Sequence, residues 1–333
     1  MIKTKKVVSF ILAGMLSVSA LTGCSKGENS NQGNNEMKKI GITQLVEHPA
    51  LDSSREGFLK ALEDNGFKDG ENIEVDFQNA QNDMPTTQTI ASKFASDKKD
   101  LIFAISTPSA QAAFNATKDI PILMTAITDP VKAGLVESLE KPGGNVSGTS
   151  DFIPVDKALE LVKLFSPDAK TIGVVCNTSE INSKLQIDAL KKYASKNNFK
   201  VIEKGITTSN EVNQAVSSLV GKADVLYVPT DNLAASSMPI IAKVATENNI
   251  PVIGTEDGHV KKGALACQGI NYFDLGYKTG EMAVKVLNGE YISEMPVTTL
   301  EDTELIVNEG TLKALSLEKP KQKNIKYITT EDK

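Results

Sequence analysis

Short, continuous apolar runs alternate with amphipathic stretches along most of this chain, and the pattern runs through twice. Lys39-Ile40-Gly41-Ile42-Thr43 is a candidate strand. Leu51, Phe58 and Leu62 then share one helical face until Asn65-Gly66 stops the helix. Ile73 to Phe77 reads as a less buried strand and residues 85–96 as a helix. Asp100-Leu101-Ile102-Phe103-Ala104-Ile105 is too apolar to face water on either side. A helix over 108–117 and a strand over 121–125 complete the first set. After a turn cluster over 140–145 and a short link over 146–150, the second set has strands over 169–176, 200–203, 224–228 and 250–254. Its helices fall over 181–196, 211–220 and 236–247. Continuous apolar strands separated by helices mean a parallel sheet covered on both faces. The expected fold class is therefore α/β, with two Rossmann-like lobes carrying parallel sheets. A later helix (273–287) and a terminal strand (303–307) are expected to return to the first and second lobes. That divides the body into 38–150 with 272–298 and 151–271 with 299–333.

The residues ahead of the first strand read as an address. Met1 to Lys6 carries three lysines and no acid, and Val7 to Leu21 carries no charge. This is the form of a secretory signal peptide, here residues 1–23. The apolar run is shorter than the ~20 residues that span a bilayer core. It ends in Leu21-Thr22-Gly23-Cys24, which resembles the lipobox of bacterial lipoproteins, where cleavage leaves a lipidated Cys24. Ser25 to Glu36 has no apolar residue, so residues 24–37 are expected to be the lipidated Cys and a flexible tether. A cell-membrane protein anchored by lipid on the extracytoplasmic face is the expectation.

Composition narrows the function. The net charge is −6, without the basic surplus of a nucleic-acid binder. Two histidines (His48, His259) and three cysteines (Cys24, Cys176, Cys267) lack metal-ligand spacing, so no metal or cofactor is expected. Cys176 lies in an apparent buried strand, and Cys176 and Cys267 are read as free thiols. No G-x-S-x-G, phosphate-binding loop, G-x-G-x-x-G or H-E-x-x-H motif occurs. No catalytic residue is proposed, and the chain is read as a non-enzyme.

Ligands of open α/β sheets bind beyond the carboxyl ends of the strands. In the first lobe those ends lead into Gln44 to Pro49, Ser106 to Ser109, and Ala126 to Pro130. In the second they lead into Asn177 to Ser183, with Glu180 and Asn182, then Pro229 to Asn232, with Asp231, then Thr255 to Asp257, with Glu256. Small hydroxyl residues dominate the first lobe and acids the second. That asymmetry suits an amino acid. Ser106, Thr107 and helix N–H groups could receive a carboxylate, while Asp231 or Glu256 could pair with an ammonium. Each residue also has a plainer reading, since Ser, Thr and Asp before helices are commonly caps. His48, ahead of Pro49 and a helix, reads from its position as a loop residue or cap rather than a ligand contact.

Several runs together resemble a known family. They are Glu47-His48-Pro49-Ala50-Leu51-Asp52 with Gly57-Phe58, Ser106-Thr107-Pro108-Ser109-Ala110-Gln111, and Ile127-Thr128-Asp129-Pro130-Val131. Asn177, Glu180 and Asn182-Ser183, Val228 to Asn232, Gly263 to Ala266, Gly269 to Tyr272 and Leu275-Gly276 also fit. The resemblance spans residues 38–320 and is to ABC-transporter substrate-binding lipoproteins that take up tryptophan, tyrosine and phenylalanine. It implies a type I periplasmic-binding-protein fold, with lobes on a multi-strand hinge closing over a small ligand. It implies first-lobe loops on the ligand carboxylate (Ser106, Thr107, Thr128), with Ala126 beside them. It implies a second-lobe acid on the amino group, Asp231 ahead of Glu256 and Glu180, and raises Gln44 and His48 to pocket contacts for the side chain. Asn177 and Asn182 complete the candidate set. The aromatic ligand follows from the resemblance alone, since a chain with no Trp does not by itself suggest stacking. Its implied partners are a membrane ABC permease and the amino acid, with the chain a monomer; a lipid-anchored adhesin on the same fold is the alternative.

Overall fold

The structure is a computed structural model and describes residues 37–330. The signal peptide, Cys24 and the tether up to Glu36 lie outside the described residues. Two mostly parallel sheets form the frame. The first contains β1 (Lys38–Gln44), β2 (Ile73–Asn79), β3 (Leu101–Ile105), β4 (Ile122–Ile127), β5 (Val146–Ser150) and β11 (Thr298–Thr299), in the order β11-β5-β4-β3-β1-β2. The second contains β6 (Thr171–Asn177), β7 (Lys200–Ile206), β8 (Val225–Tyr227), β9 (Val252–Gly254), β10 (Ala266–Gly269), β12 (Glu304–Asn308) and β13 (Ile325–Ile328), in the order β13-β12-β10-β9-β8-β6-β7. Every pairing is parallel except β10 with β12, which is antiparallel.

Helices cover both faces of each sheet, as continuous apolar strands require. In the first lobe, α1 (Pro49–Asp64) and α10 (Tyr272–Leu287) pack on one face, where Ile40, Ile42, Phe58, Leu101, Phe103 and Leu275 share a core. The rings of Phe58 and Phe103 stack with centroids 3.8 Å apart. Helices α2 (Met84–Ser96) and α3 (Thr107–Ala116) cover the other face, on which Phe94, Ile102, Ala104 and Met124 pack. In the second lobe, α4 (Asp156–Phe165), α5 (Ile181–Lys196) and α11 (Glu309–Ala314) lie on the face of Val174, Cys176 and Tyr227. Helices α6 (Val212–Ser217), α7 (Asn232–Ser236) and α8 (Met238–Glu247) lie on that of Val175 and Leu226. The short α9 (Asp257–Lys261) follows β9.

The chain passes between the sheets three times, at 151–155, 270–271 and 300–303, so the hinge has three strands of chain. The later helix does return to the first lobe and the later strand to the second. Three expectations change. The sheets have six and seven strands where four and five were expected. Val146 to Ser150, read as a link, is strand β5. The helix expected over 236–247 is α8, opened by Pro239, and a short helix α7, capped by Asp231, precedes it. Cys176 and Cys267 are buried free thiols, and burial is the largest reason the Cys176 thiol is pushed up to about 12. No helix among the described residues is long and apolar enough to cross a membrane.

Candidate ligand-binding site

The strand ends of both sheets converge on a pocket with about 250 Å3 of space between atoms, part of it open to solvent. The first lobe contributes His48 and Leu51 around the start of α1, Ala126 at the end of β4, and Tyr272 at the start of α10. The second contributes Asn182, Thr230, Asp231, Asn232, Ala235 and Glu256, and Asp151 stands where the chain first crosses. Of the residues expected at a site, His48, Ala126, Asn182, Asp231 and Glu256 come together here.

The other expected residues lie outside the lining. Gln44 donates to Val46 O and Asp52 Oδ1 at 2.9 and 2.8 Å and accepts from Arg55, which ties its amide to its own loop. Asn177 donates to Glu180 at 3.1 Å and accepts the Ser179 N–H. Glu180, 2% exposed, accepts from Asn177, Asn182, the side chain and backbone of Asn232, and the Leu233 N–H. Ser106 and Thr107, directly after β3, and Thr128, directly after β4, are buried. Thr107 Oγ1 and Thr128 Oγ1 have no hydrogen-bond partner, and Ser106 precedes α3 without capping it through its side chain. Ser106 at φ 87° and Ala126 at φ 56° hold a backbone conformation that L residues avoid. Such strain costs about 1–3 kcal/mol per residue and concentrates at binding sites. It places the first-lobe loops' N–H groups and hydroxyls where an unstrained turn would not.

The cavity is lined by three buried carboxyl groups and no cation. Asp231 caps α7, accepting from the Ala234 N–H at 2.9 Å and the Asn177 N–H at 2.5 Å. Burial, and then the neighbouring Glu180 charge, raise its carboxyl to about 7. Asp151 accepts from the Tyr272 hydroxyl at 2.9 Å, and burial raises it to about 6. Burial pushes Glu256 well above the ordinary carboxylate range, with Asp257 and Asp151 adding to the shift. Glu256 Oε1 lies 3.5 Å from His48 Nδ1 and 3.4 Å from His259 Nε2. Burial lowers His48 to about 4 and His259 to about 3, so both rings are neutral. His48 Nδ1, Asp151 Oδ1, Asn182 Oδ1 and Glu256 Oε1 are buried polar atoms without partners. Such groups are costly unless something supplies the missing bonds. With Leu51, Ala126, Ala235 and the Tyr272 ring beside them, the lining suits a ligand with a cationic end and an apolar body. Among the described residues no set of His, Cys, Asp and Glu is arranged to hold a metal.

Sequence reasoning missed Asp151, Tyr272, Thr230, Asn232, Leu51 and Ala235 as lining residues. Asp151 had a usable signal: with 146–150 taken as a strand, it falls at a strand's carboxyl end.

Comparisons agree in kind. Residues 39–325 match the family model described as ABC transporter substrate binding protein. A tyrosine-binding protein of Clostridioides difficile is 66% identical over all of this chain and 98% of its own length. The ligand-free, open structure of a substrate-binding protein with adhesive properties from Clostridium difficile is 78% identical, covering 89% of this chain and 100% of that one, with a TM-score of 0.68. A Streptococcus pneumonia ABC domain in complex with L-Trp is 36% identical, covers 86% of this chain and 97% of its own, and scores 0.82. The lobes of this chain thus sit more as in the tryptophan complex than as in the open form of a far more similar sequence.

Proposed function

The chain belongs to the ABC transporter substrate-binding protein family, and we propose that within it this protein captures an aromatic amino acid, tyrosine foremost, and delivers it to a membrane permease. The role is binding, not catalysis. One observation carries the choice of ligand: three buried carboxyl groups face one pocket that has an apolar side and no cation of its own. Enclosing that many acids without a positive ligand group is unfavourable, and an α-ammonium supplies one. The names of the relatives, one binding tyrosine and one holding L-Trp, support the aromatic side chain.

Asp231 is the proposed ammonium partner, since the Ala234 and Asn177 N–H groups favour its ionised form and leave outer lone pairs for the ligand. Ser106, Thr107 and Thr128 are the proposed carboxylate donors, supported by the unpaired hydroxyls of Thr107 and Thr128 and the strained backbone of Ser106. The bodies that close are residues 38–150 with 272–298 and 151–271 with 299–333. A lipid on Cys24 is the proposed anchor, and the protein acts as a monomer on the outer membrane face. Adhesion is a second reading, favoured by the adhesive properties named for the 78% identical structure.

The test is thermal unfolding with free ligands. Ligand at ~100 times its dissociation constant adds about 2.7 kcal/mol. Tyrosine, tryptophan or phenylalanine is expected to stabilise the protein above leucine, glutamate and glucose. A response to the sugar alone defeats the reading.

A further inference from the structure

Glu180 makes more contacts than any ligand residue could spare, and their pattern has a direction. Its carboxylate joins two loops, the β6–α5 turn through Asn177 and Asn182 and the start of α7 through Asn232 and Leu233. Two of those partners, Asn182 and Asn232, line the cavity, and Glu180 itself does not. Because Asn232 gives its Nδ2 to Glu180, the amide cannot be turned over: that would set its oxygen against a carboxylate. Asn232 Oδ1 is therefore fixed toward the other lobe, where His48 Nε2 lies 3.5 Å away. An amide oxygen only accepts, so the ring nitrogen facing it carries the hydrogen.

We propose that Glu180 is a positioning residue: acting through Asn232, it fixes His48 as the Nε2–H tautomer and turns the bare Nδ1 across the lobes toward Glu256. This extends the amino-acid reading, on which its affinity measurement rests.

A consequence follows at Glu256. His259 Nδ1 accepts the Thr255 N–H at 3.2 Å, so His259 carries its hydrogen on Nε2, the nitrogen that faces Glu256 Oε1 at 3.4 Å. The same oxygen faces the bare His48 Nδ1 at 3.5 Å. Two acceptors so placed repel unless the carboxyl holds a proton. Burial and the neighbouring acids ask for the same state. Asp257 on its own helix and Asp151 at the chain crossing both raise the Glu256 carboxyl, against the Tyr272 hydroxyl at the head of α10, which bonds Asp151 at 2.9 Å and lowers it. Lys261, at the end of α9, pairs with Asp257 at 3.0 Å. Glu256 is thus a neutral hydrogen-bond donor in this arrangement. Asp231 is left as the ionised acid for the ligand.

The chain has only two histidines, so protein labelled with 15N-histidine shows two ring systems, assigned by His259→Gln. With saturating L-tyrosine at pH 7, both rings are expected in the Nε2–H form and neither is expected to titrate between pH 5 and 8. Glu180→Gln is expected to disturb the His48 ring alone and to weaken tyrosine binding about tenfold or more in calorimetry. Asn232→Ala is expected to do the same while Glu180 keeps its other bonds, so it answers if Glu180→Gln folds poorly. In the Asn232→Ala background, Glu180→Gln is expected to leave the His48 signals where they are. A residue serving folding alone would lower the melting temperature without moving the His48 tautomer. An Nδ1–H form of His48 in the tyrosine complex, or a His48 ring indifferent to both variants, overturns the inference while leaving the amino-acid reading intact. No binding heat with tyrosine, tryptophan or phenylalanine overturns that reading and this inference with it.

Discussion

At the scale of single residues, the second-lobe acids divide by the number of donors already on them. Glu180 accepts from five groups, Asp231 from two backbone N–H groups, and Glu256 Oε1 from none in hydrogen-bonding geometry. An acid that meets an ammonium must keep lone pairs free and have donors that favour its ionised form, and among these three Asp231 has both: its two N–H donors work against the burial that raises it. Asp231→Asn keeps the shape and removes the charge. Losing one partner of such a buried pair costs about 3–5 kcal/mol, roughly two to four decades in dissociation constant. Calorimetric titration with tyrosine checks this; a change smaller than about threefold removes Asp231 from the role. The residue types in these loops were legible in the sequence, because the ends of apolar strands can be located to within a residue or two. Their division of labour was not. It depends on which side chains meet across 50 or more residues of sequence, as Glu180 meets Asn232 and Asp231 meets the Asn177 N–H.

At the scale of elements, the apolar pattern exposed most of the strands and lost β5, β10, β11 and β13, of which β5 is the one that buries hydroxyls. Val146-Ser147-Gly148-Thr149-Ser150 is wholly buried as β5, yet four of its five side chains are polar or absent. It is tolerated because the hydroxyls are paired. Ser147 donates to Met295 O at 2.6 Å, and Thr149 Oγ1 bonds Thr125 and Thr279 at 2.9 and 2.8 Å. Polarity alone therefore made a central strand look like a link. The α1–α10 contact was equally hidden, although its glycines were in view. A Cβ on Gly57 would overlap Phe273 O, one on Gly276 would overlap Ser54 O, and one on Gly280 would lie 2.6 Å from Phe58 O. The two helices touch backbone to backbone, which fixes Tyr272 and the start of α1 beside the cavity. Gly276→Ala is expected to destabilise the fold by about 1–3 kcal/mol or more, as overpacking does. A melting curve unchanged from wild type shows that the helices separate at no cost.

At the scale of the molecule, closure and protonation are linked. Asp151 and Asp231, buried here, rise to about 6 and about 7, and opening to water returns them toward the ordinary ~3.9. The closed form therefore binds more protons than the open one. Its advantage is complete below about pH 4 and is lost as pH climbs through 6 and 7. Small-angle scattering without ligand is expected to give a larger radius at pH 8 than at pH 5, with tyrosine compacting both. Equal radii at the two pH values speak against the linkage. Anchoring is tested separately: Cys24→Ala is expected to release soluble, tyrosine-binding protein, and its retention in the membrane fraction argues against a lipid there.

The three crossings between lobes also set the order in which the molecule can be finished. The first lobe needs α10, beginning at Tyr272, and β11 at Thr298–Thr299, while β12, which follows at Glu304, belongs to the second. A nascent chain that has grown through residue 150 has five of the six strands of its first sheet and none of the helix that seals one face of it. Ile40, Phe58 and Phe103 wait on Leu275 and Met282, more than a hundred residues later. Neither half can mature ahead of the other. Until the last fifth of the chain is available, what exists is a loose, unfinished polymer, a form well suited to passing through a narrow pore.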